Sequence, residues 1–378
     1  MKTMIGAYGP WAASLLPAKP GPLSLQQCPA SEFDARRAQA RARVLECMAP
    51  PATTGVTGPE VVRRWEYDGL SFEEIAWQLP YGPRTEAWVI KPIGATGRLP
   101  GVLALHDHGG FKFLGKEKIA QGGPVVPPLV QSHRADAYES LAWANELARR
   151  GFVVLVHDAY AFGSRRVRSA DLPPSVRGTL DNDTDDSLAG MNDYNQWTLG
   201  HEHVMAKSLF SAGTTWPGVF WAEDRVALDM LCARPDVDPE RVGIGGLSGG
   251  GLRTVFLGGL DPRVKCAVCV GMMTTWRDFV LNKSVTHTWM CYVPLLPQDL
   301  DYPEILGVRA PRPTLVLNTR ADPLFTVPEM ERAVDQLKAV YSSSGQPDHF
   351  RASWYPGHHQ FNRAMQTEAF DWFGRWLA

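Results

Sequence analysis

Apolar and polar residues alternate in three runs near the N-terminal end of the chain, at residues 63–67, 71–77 and 85–90. The runs are separated by Asp68-Gly69 and by a segment at 80–83 that is rich in proline and glycine. A period of two is typical of strands with one buried face, and such turn residues join antiparallel neighbours. The pattern therefore predicts antiparallel strands at one edge of a sheet.

Continuous apolar runs replace this alternation further along the chain. They occupy residues 101–106, 152–157, 242–244, 264–270 and 313–318, and a further strand-like run covers 351–355. Stretches with helical spacing lie at 137–150, 216–233, 328–341 and 365–377. Strands that are buried on both faces and alternate with helices are typical of parallel sheets. We therefore expect an α/β fold with a doubly wound, mostly parallel sheet.

Some segments fall outside this alternation. Residues 1–30 are rich in proline without a clear period, whereas 32–48 have the composition of a helix. The segments at about 163–217 and 272–311 also lack a sustained period, and long irregular segments in a compact domain commonly carry function. The expected organisation is an N-terminal arm and helix at 1–60, followed by one α/β domain at 61–378 that contains these two loop insertions.

Composition narrows the possible function classes. The chain has 378 residues with 44% hydrophobic content and a formal net charge of −2, and it contains no run of basic residues. Such a chain is not expected to bind nucleic acid or an anionic membrane. Its six cysteines have no framework spacing, and glycines and prolines interrupt the N-terminus before a signal-peptide segment can form. We therefore expect reduced, buried cysteines and a cytoplasmic protein.

One glycine-rich turn carries the strongest chemical signal. A short β-branched run ends in Gly246-Leu247-Ser248-Gly249-Gly250, and the apolar stretch 252–257 follows. This is a G-x-S-x-G motif between a strand and a helix, where a sharp turn strains the serine backbone and flanking glycines avoid clashes. The Gly249 amide begins the new helix, where unpaired N–H groups favour developing negative charge. The motif predicts Ser248 as a nucleophile and Gly249 as half of an oxyanion hole.

A serine nucleophile needs a base that is itself oriented by a carboxylate. Asp322 lies just after one predicted strand, and the adjacent His358 and His359 lie just after the next. Serine, aspartate and histidine in this chain order, each in a loop that follows a predicted strand, is the arrangement that accompanies the G-x-S-x-G turn. The sequence thus predicts a catalytic triad of Ser248, Asp322 and one of the two histidines.

From about residue 85 to its end, the chain resembles the α/β-hydrolase superfamily, and more narrowly its branch of dienelactone hydrolases and acetyl xylan esterase-like enzymes. The resemblance rests on the turn around Ser248, on Asp322, on His359-Gln360-Phe361, and on the segment His106-Asp107-His108-Gly109-Gly110 after the first core strand. Two features depart from the pattern. Dienelactone hydrolases have a cysteine nucleophile, and relatives often have a glycine at the position of Asp107.

The resemblance implies an α/β-hydrolase fold and further site residues. Relatives commonly place the base in a His-x-Phe segment, which implies His359 rather than His358. The second oxyanion donor would be the amide of His108, with Gly109 or Gly110 as the alternatives. The implied activity is that of a serine hydrolase that cleaves carboxylic esters through an acyl-enzyme.

Other chemistries have weaker support in the sequence. The pairs His106/His108 and His201/His203 resemble metal ligands, but no third ligand with zinc spacing accompanies them. We therefore expect neither a metal nor another cofactor.

The expected partner is a small-molecule ester. Trp276 and Trp289, in the second loop insertion, predict a restricted acyl site that favours short chains, and acetylated carbohydrates are one candidate substrate class. The sequence leaves open a peptidase or amidase on the same scaffold and a non-catalytic binding protein. It does not address the oligomeric state.

Overall fold

The computed structural model describes residues 2–178, 180 and 183–378. A single central sheet runs through this described part of the chain. Its strands are β1 (Glu60–Tyr67), β2 (Leu70–Trp77), β3 (Thr85–Pro92), β4 (Leu99–Leu105), β5 (Val153–His157), β6 (Val237–Leu247), β7 (Cys266–Val270), β8 (Thr314–Thr319) and β9 (Phe350–Tyr355). Their order across the sheet is β1-β2-β3-β5-β4-β6-β7-β8-β9.

The sheet has two parts that differ in strand direction. β1, β2 and β3 pair antiparallel, and β3 is also antiparallel to β5. From β5 through β4 and on to β9, every pair is parallel. The predicted antiparallel edge and the mostly parallel, doubly wound sheet are both confirmed. Because β4, β6, β8 and β9 run in one direction, the loops that follow them lie at one edge of the sheet, where α/β proteins bind their ligands.

Helices connect the strands and cover both faces of the sheet. They are α1 (Gly9–Ser14), α2 (Phe33–Met48), α3 (Pro128–Ala137), α4 (Trp143–Ala148), α5 (Pro174–Arg177), α6 (Leu188–Ser211), α7 (Trp216–Cys232), α8 (Gly249–Arg253), α9 (Trp276–Asp278), α10 (Tyr302–Gly307), α11 (Val327–Ser343) and α12 (Arg363–Leu377). The chain continues from α8 as a π-helical turn at Thr254–Gly258.

Alternate residues of the central strands enter different cores. In β4, Val102 and Ala104 pack with residues of α4 and α12, whereas Leu103 and Leu105 pack with residues of α7. A further cluster joins α2, α8, α10 and α11. Burial on both faces explains why this strand appears in the sequence as a continuous apolar run.

The N-terminal residues pack against the body of the protein. α2 confirms the helix predicted at 32–48 and buries Val44 completely. Two of its arginines also donate hydrogen bonds to backbone carbonyl oxygens of the main body. Arg37 donates to the carbonyl of Ala310 at 2.7 Å, and Arg41 donates to that of Leu260 at 2.5 Å. Side-chain packing and these hydrogen bonds together fix α2 to the sheet domain.

The prediction of one continuous helix at 137–150 is wrong. α3 ends at Ala137, and α4 begins only after Glu139 and Ser140, which have φ values of 53° and 63°. Left-handed residues cannot continue a right-handed helix. The break leaves the Ala137 carbonyl free to accept the N–H of Phe361 at 2.7 Å, which fixes the segment before α12.

The first loop insertion is more regular than the sequence suggests. It contains α6, which spans 24 residues. The inner face of α6 includes the buried polar residues Asn195, Thr198 and Glu202. A helix whose inner face is partly polar lacks the apolar 3.6-residue period, so the expectation of an irregular segment was wrong for this reason.

All six cysteines are unpaired. The predicted burial is confirmed for Cys28, Cys266, Cys269 and Cys291, but it is wrong for Cys47 and Cys232, which are only partly buried. Burial raises the pKa of Cys266 to about 12, so this thiol stays protonated at neutral pH. Among the described residues, no helix is both long and apolar enough to span a bilayer.

Candidate active site

The turn between β6 and α8 has strained backbone geometry. Ser248 has φ 57° and ψ −116°, a combination that residues with side chains rarely adopt. A Cβ atom at Gly246 would lie 2.3 Å from the carbonyl oxygen of Leu105, and one at Gly250 would lie 2.2 Å from the same oxygen. The predicted steric role of these two glycines is confirmed, because β4 approaches too closely for a side chain at either position.

Two of the predicted site residues are in direct contact. Asp322 follows β8 and His359 follows β9, and Oδ2 of Asp322 lies 2.6 Å from Nδ1 of His359. The second carboxylate oxygen accepts the N–H of Leu324 at 2.9 Å. The N–H of Ala321 donates to the carbonyl of Gly357 at 3.1 Å, so the two loops are also joined through their backbones. A carboxylate oxygen accepts in such a contact, so Nδ1–H of His359 donates to Asp322, and Nε2 is the ring nitrogen that is left for another partner.

The adjacent histidines point in different directions. Nε2 of His358 lies 3.1 Å from the carboxylate of Asp136, with 51% of the side chain exposed, against 18% for His359. Phe361 is buried, and its N–H is bound by the Ala137 carbonyl. Phe361 therefore anchors the segment in the core, and His359 is the histidine that turns inward.

Ser248 and His359 lie on either side of the end of β7. The N–H of Ser248 donates to the carbonyl of Val270 at 2.9 Å. A Cβ atom on the next residue, Gly271, would lie 3.0 Å from Cε1 of His359. Nε2 of His359 is buried and forms no hydrogen bond with any described residue. A basic nitrogen without a partner thus lies in the same region as the serine.

Two backbone amides lie close together beside the serine. The Cβ position of Gly249 is 2.8 Å from the amide nitrogen of His108, so the first turn of α8 touches the loop after β4. In the part of the chain that the structure describes, neither amide donates a hydrogen bond to another protein group. Unpaired N–H groups at a helix N-terminus and in a neighbouring loop are donors of the kind that stabilise an oxyanion.

The other two predicted oxyanion donors have different surroundings. Gly109 and Gly110 have φ values of 59° and 73°, so both use the left-handed conformation that favours glycine. The amide of Gly110 donates to Nδ1 of His108 at 3.1 Å. The Cβ position of Gly109 lies 2.4 Å from Oδ2 of Asp107. The Gly110 amide is therefore already engaged.

Asp107, at the position where relatives often have glycine, is a buried anchor. Its carboxylate accepts the hydroxyl proton of Tyr138 and lies 2.9 Å from Nε2 of His133. Burial alone would raise the pKa of this carboxyl, but the neighbouring charges of His133 and Lys118 and its hydrogen bonds hold the pKa well below its usual range. Asp107 is thus ionised and held in place by its neighbours.

Glu202 of α6 joins the loop after β4 to the second loop insertion. Oε1 lies 2.7 Å from Nε2 of His108 and 2.5 Å from Nζ of Lys112. Oε2 accepts the hydroxyl proton of Thr288 at 2.7 Å and lies 3.4 Å from the backbone nitrogen of Trp289. Burial opposes ionisation, yet His108 and Lys112 hold the pKa of this carboxyl well below its usual range. One ionised side chain therefore connects three separate segments.

The histidine pairs do not converge on a metal site. His108 is bound to Glu202, His201 stacks on Trp197 with ring centroids 4.5 Å apart, and Nε2 of His106 accepts the N–H of Ala159 at 3.1 Å. Among the described residues, no group of three or more histidine, cysteine or carboxylate side chains is placed to hold a metal ion. Each pair therefore still lacks a third ligand.

The two tryptophans of the second insertion differ in their environments. Trp276 is 4% exposed, and its indole N–H donates to the carbonyl of Leu300 at 3.2 Å. Trp289 is 42% exposed. Trp276 is therefore part of the core, and Trp289 is the one of the pair that can contact a bound molecule.

Sequence reasoning missed several residues that hold the loop after β4, including Lys112, Lys118, Tyr138 and Glu202. One signal was available, because Lys112 lies between two phenylalanines and a lysine in an apolar setting is seldom buried without a specific partner. Glu202 gave no such signal. It lies in a segment without visible periodicity, and its partners are distant in sequence.

A cavity of about 1070 Å³ lies elsewhere, between the N-terminal arm, α9, α10 and α11. Its lining includes Lys19, Glu304 and Arg332. Neither Ser248 nor His359 contributes to that lining, so this cavity is distinct from the candidate active site.

Known proteins resemble the chain in sequence and in fold. YtaP of Bacillus subtilis (strain 168), provisionally named a hydrolase, is 27% identical over 321 residues, which are 84% of this chain and 92% of YtaP. A provisionally named acetyl xylan esterase from Bacteroides fragilis has a TM-score of 0.68 at 16% identity, covering 94% of this chain and 83% of its own. A glucuronoyl esterase from Solibacter usitatus has a TM-score of 0.62 at 16% identity, covering 97% of this chain and 100% of its own. No protein-family model matches the chain.

At these identities the structural likeness establishes the fold. The chain has the α/β-hydrolase fold, as the sequence predicted, and the expected resemblance to acetyl xylan esterase-like proteins is confirmed at that level. Activity and substrate require chemical evidence from the site itself.

Proposed function

We propose that the protein is a serine hydrolase that cleaves carboxylic esters, with Ser248, His359 and Asp322 as its catalytic triad. One observation carries the proposal. Nδ1 of His359 is bound to the buried Asp322, while its Nε2 is buried without a partner in the region that Ser248 borders. A base that is oriented on one nitrogen and unpaired on the other is suited to accept a proton from a serine.

In the proposed reaction, Oγ of Ser248 attacks the carbonyl carbon of the ester while its proton passes to Nε2 of His359. The amides of Gly249 and His108 donate hydrogen bonds to the resulting oxyanion. The bond to the alcohol oxygen then breaks, and His359 gives the proton to that oxygen. Water attacks the acyl carbon in the same way and gives its proton to His359. Ser248 then leaves with a proton, so the products are one carboxylic acid and one alcohol.

Ser248 and His359 are not hydrogen-bonded to one another in the described structure. Such a bond is often long or absent without substrate and forms in the reacting complex. The strained turn supports the role of Ser248, because backbone strain is commonly retained at a nucleophile.

The proposed substrates are small esters, including esters carried by carbohydrates. Two structural relatives are named for activities of this kind, an acetyl xylan esterase and a glucuronoyl esterase. The exposed Trp289 supports this class, because an aromatic face can pack against the apolar face of a sugar ring.

A fluorophosphonate probe tests the reaction class. We expect the probe to label Ser248, as located by mass spectrometry of the digested protein. We also expect hydrolysis of an aryl acetate, with no measurable cleavage of the corresponding anilide. No labelling of the folded protein would favour a non-catalytic binding protein, and comparable cleavage of the anilide would favour an amidase.

Acyl-chain length provides a second prediction, which is specific to the substrate. If Trp289 limits the acyl site, kcat/KM should fall as the acyl chain lengthens from acetyl to octanoyl. The largest drop, about tenfold, should occur at the first chain length that contacts the indole ring. Replacement of Trp289 by alanine should flatten this dependence. A steady rise in kcat/KM from acetyl to octanoyl esters for the wild-type protein would show that the acyl site is open.

A further inference from the structure

Lys118 is a fully buried lysine beneath the loop that carries His108. Its ammonium group donates to three carbonyl oxygens of that loop, those of Asp107 at 3.0 Å, His108 at 2.7 Å and Phe111 at 2.7 Å. It also lies 4.1 Å from the ring centroid of Phe111 and 4.8 Å from that of Phe162. All three ammonium protons are thus used on backbone oxygens of one short loop.

These contacts fix the direction of an amide. A trans peptide unit is planar, so its N–H points away from its C=O. The C=O of Asp107 is directed at Lys118, and it also accepts Nδ1–H of His106 at 2.9 Å. The N–H of the same peptide unit belongs to His108, and that nitrogen lies beside Gly249. Lys118 therefore holds the peptide in the orientation that turns the His108 amide away from the lysine, on the side where Gly249 lies.

We propose that Lys118 is a positioning residue of the oxyanion hole, which sets the His108 amide through the carbonyls on the opposite side of the loop. This inference rests on the proposed function. The positive charge of Lys118 contributes as well as its position, because an ammonium group behind the peptide also polarises the N–H that faces the developing oxyanion.

The charge on Lys118 is balanced by nearby groups. Burial lowers the pKa of its ammonium group to about 7, although the carboxylates of Asp107, Asp158 and Glu117 favour the charged form. The neighbouring cation that opposes the charge is Lys112, and Lys118 in turn disfavours protonation of His106. Below this pKa, Lys118 has three N–H donors, one for each of the three carbonyl oxygens. As the pH rises through the pKa, the amine becomes neutral and loses one donor, so kcat should decline above about pH 7.

Lys118→Met tests the proposal, because methionine keeps the length and apolar stem and removes the donors. A misplaced transition-state donor costs roughly 10- to 1,000-fold in kcat, and we expect a loss in this range with KM little changed. Inhibition by benzeneboronic acid, which forms a tetrahedral adduct with a reactive serine, should weaken in parallel. The decline in kcat above pH 7 should be absent from this variant.

Lys116→Met is the matched control. Lys116 is another buried lysine in the same turn, but its ammonium group binds carboxylates, with Asp158 at 2.9 Å and Glu86 at 3.4 Å. We expect this variant to lose thermal stability while kcat per folded molecule stays within about threefold of wild type, since the oxyanion geometry is untouched. The comparison separates a general loss of stability from a loss of positioning.

The outcomes distinguish this inference from the proposed function. A Lys118→Met enzyme that keeps kcat and boronate affinity would overturn the positioning role, even where Ser248→Ala abolishes activity. Activity that survives Ser248→Ala would instead overturn the proposed triad. If Lys118→Met does not fold, Lys118→Gln decides, because glutamine keeps N–H donors without the positive charge. A folded Lys118→Gln enzyme should lose kcat and boronate affinity together, and wild-type values of both would contradict the need for a charged group at this position.

Discussion

Ser248→Ala is expected to abolish ester hydrolysis while leaving the protein folded. Loss of the hydroxyl removes the covalent route, and the expected fall in kcat is roughly 10⁴- to 10⁶-fold. Stability should change little, because alanine is smaller than serine and Oγ of Ser248 does not cap α8 or bond to another side chain among the described residues. Steady-state kinetics on an activated acetate ester, with thermal unfolding of the same preparation, provide the measurement.

Ser208→Ala serves as the control for this experiment. Ser208 lies on α6, and its exposed hydroxyl donates only to the carbonyl of Val204 within the same helix, at 2.9 Å. Its replacement should leave kcat unchanged. A folded Ser248→Ala protein with activity within tenfold of wild type would show that hydrolysis does not depend on Ser248.

Local patterns predicted the elements that carry the proposed chemistry. The glycines around Ser248 could be recognised in the sequence, because a side chain at either position would clash within the turn or with the adjacent β4. Asp322 could be located because it follows a continuous apolar strand, and the histidine pair because it follows the strand-like run at 351–355. Strand order determines which loops meet at one edge of the sheet. Periodicity and chain order predict Ser248, Asp322 and one of the two histidines without knowledge of distant contacts, whereas the choice of His359 rests on the resemblance to relatives with a His-x-Phe segment.

The surroundings of the site could not be predicted in the same way. Glu202 lies 94 positions from His108 in sequence and contacts it only through the packing of α6. The helix itself was hidden because polar residues such as Asn195 occupy its inner face. The break in the helix at Glu139 also depends on a distant contact, because the carbonyl of Ala137 that it leaves free accepts the N–H of Phe361, near the other end of the chain. Contacts between distant segments, rather than local propensity, determine these features.

The buried charges around the loop after β4 are costly in isolation. Folding removes four charged side chains from water, those of Asp107, Lys112, Lys118 and Glu202. An unpaired buried charge would destabilise the fold by several kcal/mol. Each has instead a partner or a set of carbonyl acceptors. Hydrophobic side chains could fill the same space but could not fix peptide orientations. The arrangement is therefore explained better by the need to orient backbone amides than by stability.

The two adjacent histidines differ in what they can reach. His359 is bound to the buried Asp322, whereas His358 lies at the surface beside the exposed Asp136. Phe361 fixes this difference, because its anchored backbone and buried ring determine how the preceding residues turn. A base must be held by a fixed carboxylate on one nitrogen and reach the nucleophile with the other. The carboxylate beside His359 is buried, whereas the carboxylate beside His358 is exposed, so only His359 meets the first requirement.

His359→Ala is therefore expected to reduce kcat/KM about as severely as Ser248→Ala, by roughly 10⁴-fold or more, because members of a triad act as one unit and their losses are not additive. His358→Ala is its matched control, and it should keep most of the activity because it removes only a surface contact with the exposed carboxylate of Asp136. The double variant of Ser248 and His359 should be no slower than either single variant. Measurement of kcat/KM on one activated ester decides the assignment, and a larger loss in His358→Ala than in His359→Ala would transfer the role of base to His358.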